Sequence, residues 1–266
     1  MYVRPKKSLG QHFLHDKQIA EKITQSISNN INALLEIGAG TGVLTEFLLE
    51  KDIDFKAVEI DKESIDFLRK NFPDIKNKLI EGDFLQLNVR NIFNKQFGII
   101  GNLPYNISSQ IFFKILEEKE IIPEVICMIQ KEVAERIAEP PGTKTYGILS
   151  VFIQAFYNVE YLFTVHENAF TPPPKVKSAV IRLTRNNVQR LDCDELLFKK
   201  IVKATFNQRR KTIRNSLKLI IGDKQIAENR FLSLRPETLS VQDFVELTNI
   251  VENVVNSKII SDINPN

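Results

Sequence analysis

The sequence predicts an α/β fold: a largely parallel sheet with an antiparallel pair at one edge, followed by a small domain of helices alone. Three observations carry this. Short apolar runs recur with helix-length segments between them, the last two runs lack such a segment, and the strand pattern stops after residue 187. The first run, Ala33–Ile37, ends in a Gly-rich turn and is followed by helical spacing from Val43 to Leu49, giving strand, loop and helix in succession. Further strands are expected at 55–59, 78–81, 97–101 and 125–129, with enough chain between them for the crossovers that parallel neighbours require. Segments 158–165 and 178–184 are strand-like with no helix between them, which predicts the antiparallel pair.

Residues 185–194 are polar and aperiodic, so the domain boundary is placed there, with an α/β domain over 1–187 and a helical domain over 188–266. Residues 196–221 read as one or two helices stopped by Gly222. Ser240 with Asp243 three residues later has the pattern of a capping box, opening a last helix whose apolar face carries Phe244, Leu247, Val251 and Val254.

With 266 residues, 43% of them hydrophobic, the chain can bury a substantial core, which excludes disorder for most of it. No apolar run approaches the ~18 residues needed to cross a bilayer. Arg4, Lys6 and Lys7 near the start precede no apolar signal region, so a cytoplasmic protein is expected. Cys127 and Cys193 fit neither a disulfide framework nor a metal site. Charge is unevenly placed: residues 1–187 hold 23 basic and 23 acidic groups, residues 188–266 hold 13 against 10. Eight basic residues from Lys199 to Lys218 occur without an intervening acid, a block that attracts phosphate or forms a solvated helix face.

Gly38, Ala39, Gly40, Thr41 and Gly42 follow the first strand and open a helix, a context in which a nucleotide-like cofactor can approach the backbone. Val43 stands where a dinucleotide fingerprint has its third glycine, and a phosphate loop would need a Lys that is absent. Glu59 ends the second strand, where a carboxylate can accept from ribose hydroxyls, and Asp83 ends the third, where one can accept from an adenine amino group. These features fit both NAD and S-adenosylmethionine. Asn102, Leu103, Pro104 and Tyr105 follow the fourth strand. An amide oxygen and a carbonyl can hold an exocyclic amine so that its lone pair faces an electrophile, and the ring of Tyr105 can stack on a base.

With these residues in place, the chain resembles the ribosomal RNA adenine N6,N6-dimethyltransferases, and within them the branch acting on small-subunit rRNA. The likeness runs through residues 7–14, 36–42, 58–61, 82–83, 102–108, 130–136, 146–147, 168–170, 172–178 and 206–211. It implies a Rossmann-like S-adenosylmethionine-dependent methyltransferase sheet with a helical RNA-binding domain. It also implies dimethylation of two adjacent adenines in the 3′-terminal hairpin of 16S rRNA, on an assembling small subunit. A sulfonium methyl is electrophile enough to need no metal, and a monomer is the simplest expectation.

By the same resemblance the cofactor contacts fall on His12, Leu14, Gly38, Glu59, Asp83 and Asn102, and the reaction on Asn102, Leu103, Pro104, Tyr105 and Phe170. Phe170 would form a second wall around the flipped adenine, opposite Tyr105. His12 departs from the Asn common at its position, so a backbone contact is expected of it. RNA contacts are expected from Arg4, Lys6, Lys7, Lys144, Lys175, Lys177 and the stretch from Arg209 to Arg214. A large-subunit 23S rRNA adenine methyltransferase and a non-catalytic ribosome assembly factor stand as alternatives, and a nicotinamide-dependent reductase as a more distant one.

Overall fold

The structure, a computed structural model, describes residues 3–222 and 224–263, the last seven by backbone alone. The outer ends of both expected domains, 1–2 and 264–266, and residue 223 lie outside the described residues. In chain order the elements are β1 (Phe13–Leu14), α1 (Lys17–Gln25), β2 (Ala33–Ile37), α2 (Val43–Leu49), β3 (Asp54–Glu59), α3 (Lys62–Asn71), β4 (Leu79–Glu81), β5 (Gly98–Asn102) and α4 (Ser108–Glu117). There follow β6 (Glu124–Gln130), α5 (Lys131–Ala138), α6 (Ile148–Gln154), β7 (Tyr157–Val165), β8 (Phe170–Thr171), β9 (Ser178–Arg185), α7 (Glu195–Asn207), α8 (Ile213–Ile221) and α9 (Val241–Ile263).

The chain divides into two compact units, Met1–Glu135 with Tyr157–Asn186, and Arg136–Phe156 with Asn187–Asn266. One break falls beside the boundary expected at 187. The other differs from a single cut, because Arg136–Phe156 groups with the helices: α6 buries Leu149, Val151, Phe152 and Ile153, and the Phe152 ring lies 6.1 Å from that of Phe198 on α7. An apolar helix with so little polar face needs helical neighbours on several sides.

The first unit is built on a seven-stranded sheet of order β4-β3-β2-β5-β6-β9-β7. The five strands from β4 to β6 are parallel, while β9 runs antiparallel to both β6 and β7. All five residues of β2 are buried, as expected of a central parallel strand covered on both faces. The chain leaves β2 for β3 and β4 on one side and returns with β5 on the other. A crevice therefore opens at the carboxyl ends of β2 and β5, the switch point where open α/β sheets bind ligands. Gly101 permits the close approach there: a Cβ on it would lie 2.5 Å from the Ile37 carbonyl oxygen.

A separate two-stranded pair joins β1 to β8, with Leu14 opposite Phe170. Asp16 caps α1 by accepting from the Gln18 and Ile19 N–H groups at 3.0 and 3.2 Å, which fixes where the chain turns from β1 into the helix.

In the second unit, Asp194 caps α7 and Gly222, at φ 61°, ends α8. The Ser240 and Asp243 capping box forms: Ser240 N–H donates to Oδ2 at 2.9 Å and Asp243 N–H donates to Ser240 Oγ at 3.1 Å. Phe244 on α9 packs against Phe198 and Phe206, and Phe244, Leu247 and Val251 are fully buried. No helix among the described residues is long and apolar enough to cross a membrane.

Candidate active site

His12, Gly38, Glu59, Asp83, Asn102, Leu103, Pro104 and Tyr105 line one cavity at the carboxyl ends of β2, β3, β4 and β5. The sheet thus gathers eight of the ten expected site residues. Leu14 and Phe170 are each 2% exposed, belong to the apolar core and do not line this cavity.

On the β2 side the backbone is shaped by glycines in the left-handed region. Gly38 has φ 71°, and a Cβ placed on it would meet nothing nearer than the Asn102 carbonyl at 4.0 Å, so its surface is left open to the cavity. Glu59, 4% exposed, accepts from the Ile60 and Asp61 N–H groups through Oε1 and from Gly40 N–H through Oε2, each at 2.8 Å. Burial raises its pKa, and the three N–H bonds oppose the rise. With Oε1 accepting twice, the remaining lone pair is on Oε2, which can accept from a hydroxyl group.

Glu36, within β2, is 1% exposed. Burial pushes its carboxyl up to about 8 against the bond it accepts from Thr45 Oγ1 at 2.6 Å, with the charge of Glu59 adding to the rise. It is therefore protonated near neutrality, which spares the crevice a second buried negative charge. Asp83 uses Oδ1 to accept from Leu85 N–H at 2.9 Å, leaving Oδ2 for an amino group.

On the β5 side, β6 fixes the start of the turn: Leu103 N–H donates to the Met128 carbonyl at 3.0 Å. Asn102 Nδ2 donates to the His12 carbonyl at 2.9 Å, so its Oδ1 is the end left to accept. Asn102 and Leu103 line the same cavity as Glu59 and Asp83, which makes Oδ1 and the Leu103 carbonyl its candidate acceptors on this side. The Tyr105 hydroxyl bonds Ser178 Oγ at the start of β9, which sets the angle of the ring. Burial raises the tyrosine pKa, partly offset by that bond, so the phenol stays neutral.

The ring lying on Tyr105 is the imidazole of His12, at 5.4 Å between centroids and 28° between planes, with Nδ1 2.8 Å from the Pro172 carbonyl. Phe170 instead pairs through its backbone with Leu14, and its ring lies among the buried residues of the core.

Several contributors escaped the sequence reading. Phe13 comes within 3.0 Å of the position of a Cβ on Gly40 and lines the cavity. Ile60, 52% exposed, supplies an apolar wall directly after Glu59; a large hydrophobic following a strand-end acid was the available signal. Lys6 pairs with Asp61 and Glu63, and Gln11 Nε2 donates to Asp61 Oδ2 at 3.4 Å, so the segment bearing His12 is latched to the start of α3. Burial alone would raise the Asp61 pKa, but its bonds from Lys6, Gln11 and Ser64 outweigh this and hold it below the usual range.

Of the basic residues, Lys6 is thus engaged within the unit. In the second unit Arg209 donates to the Thr143 carbonyl at 3.1 Å and pairs with Glu237, and Arg214 pairs with Glu228. Among the described residues no cluster of three or more His, Cys, Asp or Glu is placed to hold a metal ion.

The donor set fits an adenosine bearing a positive charge: acceptors for hydroxyl and amino groups, an apolar wall at Ile60, and an open glycine surface at Gly38. Sheet and cavity together define an S-adenosylmethionine-dependent methyltransferase. The family described as ribosomal RNA adenine dimethylase matches residues 3–258, and the chain belongs to that family.

Among its relatives, the ribosomal RNA small subunit methyltransferase A of Bacteroides thetaiotaomicron is 58% identical, over 94% of this chain and 95% of that protein. The protein of the same name from Flavobacterium johnsoniae is 53% identical over 94% and 97%. Among solved structures, a dimethyladenosine transferase from Plasmodium falciparum is similar with a TM-score of 0.75 at 25% identity, covering 91% of this chain and 97% of that one. The 23S rRNA methyltransferase ErmE shares the fold at a TM-score of 0.65 and 24% identity, over 89% and 99%.

Proposed function

We propose that this protein transfers methyl groups from S-adenosylmethionine to the N6 atoms of two adjacent adenines in the 3′-terminal hairpin of small-subunit rRNA, carrying each to the dimethyl stage. The observation that carries the reading is that Asn102, its Nδ2 engaged and its Oδ1 left to accept, and Leu103 line the cavity that also holds Glu59 and Asp83. Relatives above 50% identity that bear the small-subunit name support the choice of RNA.

Bound cofactor supplies a sulfonium methyl, a good electrophile with a neutral leaving group. The chain supplies position. Glu59 Oε2 would accept from the ribose and Asp83 Oδ2 from the adenine amine of the cofactor, with Ile60 as the apolar wall for its base. The target N6 is a weak nucleophile because its lone pair is delocalised into the ring. Donating its two hydrogens to Asn102 Oδ1 and the Leu103 carbonyl favours the pyramidal form and aims the lone pair at the methyl group. The positive charge developing on N6 faces those same two oxygens. Each transfer leaves N6 cationic until it releases a proton to solvent; one hydrogen then remains for one acceptor after the first transfer and none after the second, so the product loses its hold on the turn.

Tyr105 stacks on the target base when the His12 ring gives up that place, and Phe170 provides the opposite wall only if it leaves the core. Pro104 stiffens the turn. The exposed lysines Lys7, Lys175 and Lys177, with Arg4, Lys144, Arg210 and Lys211, supply phosphate contacts. The protein works as a cytoplasmic monomer.

The test incubates purified protein with labelled S-adenosylmethionine and small-subunit particles lacking the modification, then digests and maps the RNA. Dimethyladenosine at two neighbouring positions is expected; its absence rejects the reading, and label in large-subunit RNA alone would transfer the assignment there.

A further inference from the structure

A second cavity, of about 690 Å³, shares the walls Gly10, Gln11, His12 and Tyr105 with the first. Its volume is in the range of sites that hold whole small molecules. The two differ in chemistry. The first has Glu59 and Asp83 in its wall, which suits a cation with amino and hydroxyl donors; the second has no acidic side chain at all. One part of its surface is apolar and ring-like, from Pro5, Pro172, Pro173, Pro174, Val176 and Tyr105, and Val176 is 43% exposed. The rest of the lining is Gly10, the polar side chains of Gln11, His12, Gln130 and Thr171, and two exposed lysines, Lys7 and Lys175, neither of which has an acid partner among the described residues.

This inference rests on the small-subunit reading above. When two neighbouring adenines are both modified, the enzyme must hold one while the other is unmodified, monomethylated or finished. Dimethylation removes both N6 donors and adds two methyl groups. A subsite that recognised the neighbour through N6 hydrogen bonds would be left with a desolvated, unpaired acceptor once that neighbour was finished, and would reject it. A surface of proline rings, a valine and an aromatic face accepts every stage alike, because stacking and apolar contact do not depend on N6–H. The phosphate joining the two nucleotides needs cations instead of acids.

We propose that the second cavity is the subsite for the nucleotide adjacent to the target, with its base against Val176 and the three consecutive prolines and its phosphate between Lys7 and Lys175. It reads neither the identity nor the methylation state of N6, which lets one active site finish both adenines.

The test uses the full-length protein on small-subunit particles carrying a synthetic 3′ RNA segment in which the neighbour is either adenine or abasic. Wild type is compared with Val176→Glu and with the double variant Lys7→Ala, Lys175→Ala. Removing the neighbouring base is expected to lower wild-type kcat/KM for the first methyl about tenfold. Val176→Glu is expected to lose a similar factor on the intact substrate and nothing further on the abasic one. The lysine variant should lose activity on both substrates, with the dependence of log kcat/KM on log salt shallower by about one. Titration of S-adenosylmethionine should give dissociation constants within about twofold of wild type throughout, which separates loss of the subsite from damage to the first cavity.

The proposal is overturned if base removal costs wild type nothing, or costs Val176→Glu as much as wild type. If wild type forms no dimethyladenosine on the intact particle, the small-subunit reading itself fails and the subsite falls with it.

Discussion

Replacing Glu36 by Gln should flatten a pH dependence of stability that the native protein is built to have. The carboxyl lies in the middle of the sheet, 1% exposed, and burial pushes it up to about 8 from the ordinary 4.5. Between those values the folded chain keeps a proton that the unfolded chain has released. Unfolding stability therefore falls as pH rises through this window, with a slope near 1.4 kcal/mol per pH unit, and is least above pH 8. Over the whole window the loss is on the order of 5 kcal/mol, a large share of the roughly 5–15 kcal/mol available to a folded protein.

The amide of Glu36→Gln retains an acceptor for Thr45 Oγ1 and cannot ionise, so the difference between the two proteins isolates this group from every other titration. Urea denaturation at intervals from pH 5 to pH 9, with wild type and variant side by side, measures it. The two should agree near pH 5 and diverge upward, the variant becoming the more stable. Identical pH profiles would refute the assignment of a buried, protonated Glu36.

Three further outcomes are expected. Asn102→Ala removes one of the two acceptors and the tie to the His12 carbonyl; single-turnover methyl transfer should slow by about 10²–10³, as when one preorganised hydrogen-bonding group is deleted from a reaction centre. Tyr105→Phe loses only the bond to Ser178 and should keep most activity, whereas Tyr105→Ala loses the stacking surface and about 1–3 kcal/mol of RNA binding, read as a raised KM for particles. Gly101→Ala puts a Cβ 2.5 Å from the Ile37 carbonyl oxygen, so β2 and β5 must separate; thermal or urea unfolding should report a loss of about 1–3 kcal/mol, with weaker cofactor binding in parallel.

Much of the architecture was legible because its central strands, β2, β5 and β6, are buried along almost their whole length and read as short, largely apolar runs. β2 occupies the span read from its apolar run, and the antiparallel partners β7 and β9 start within a residue of expectation. The capping box at Ser240 and the stop at Gly222 were equally local and equally readable. The same holds for the site residues at strand ends, since in a parallel sheet the carboxyl ends necessarily converge: Gly38, Glu59, Asp83 and Asn102 meet because they end neighbouring strands.

What escaped was non-local or aperiodic. β1 and β8 have two residues each, too few for any period, yet their pairing decides that Leu14 and Phe170 are buried together. Nothing in the local sequence of His12 announces Tyr105 as its stacking partner. The basic run in the helical unit looked uniform, but Arg209 and Arg214 are committed to carbonyl and carboxylate partners brought near by folding. The placement of α6 escaped for a similar reason, because only tertiary packing reveals which layer an apolar helix joins.

The reversal of strand order between β2 and β5 has a consequence for how such a protein can diversify. In the reading proposed above, the methyl donor is recognised mainly from one flank of the sheet and the acceptor from the other, the two meeting across a gap kept narrow by Gly101. Loops on the acceptor flank can be exchanged without disturbing the donor flank, so a change of target nucleotide requires no reinvention of the methyl supply.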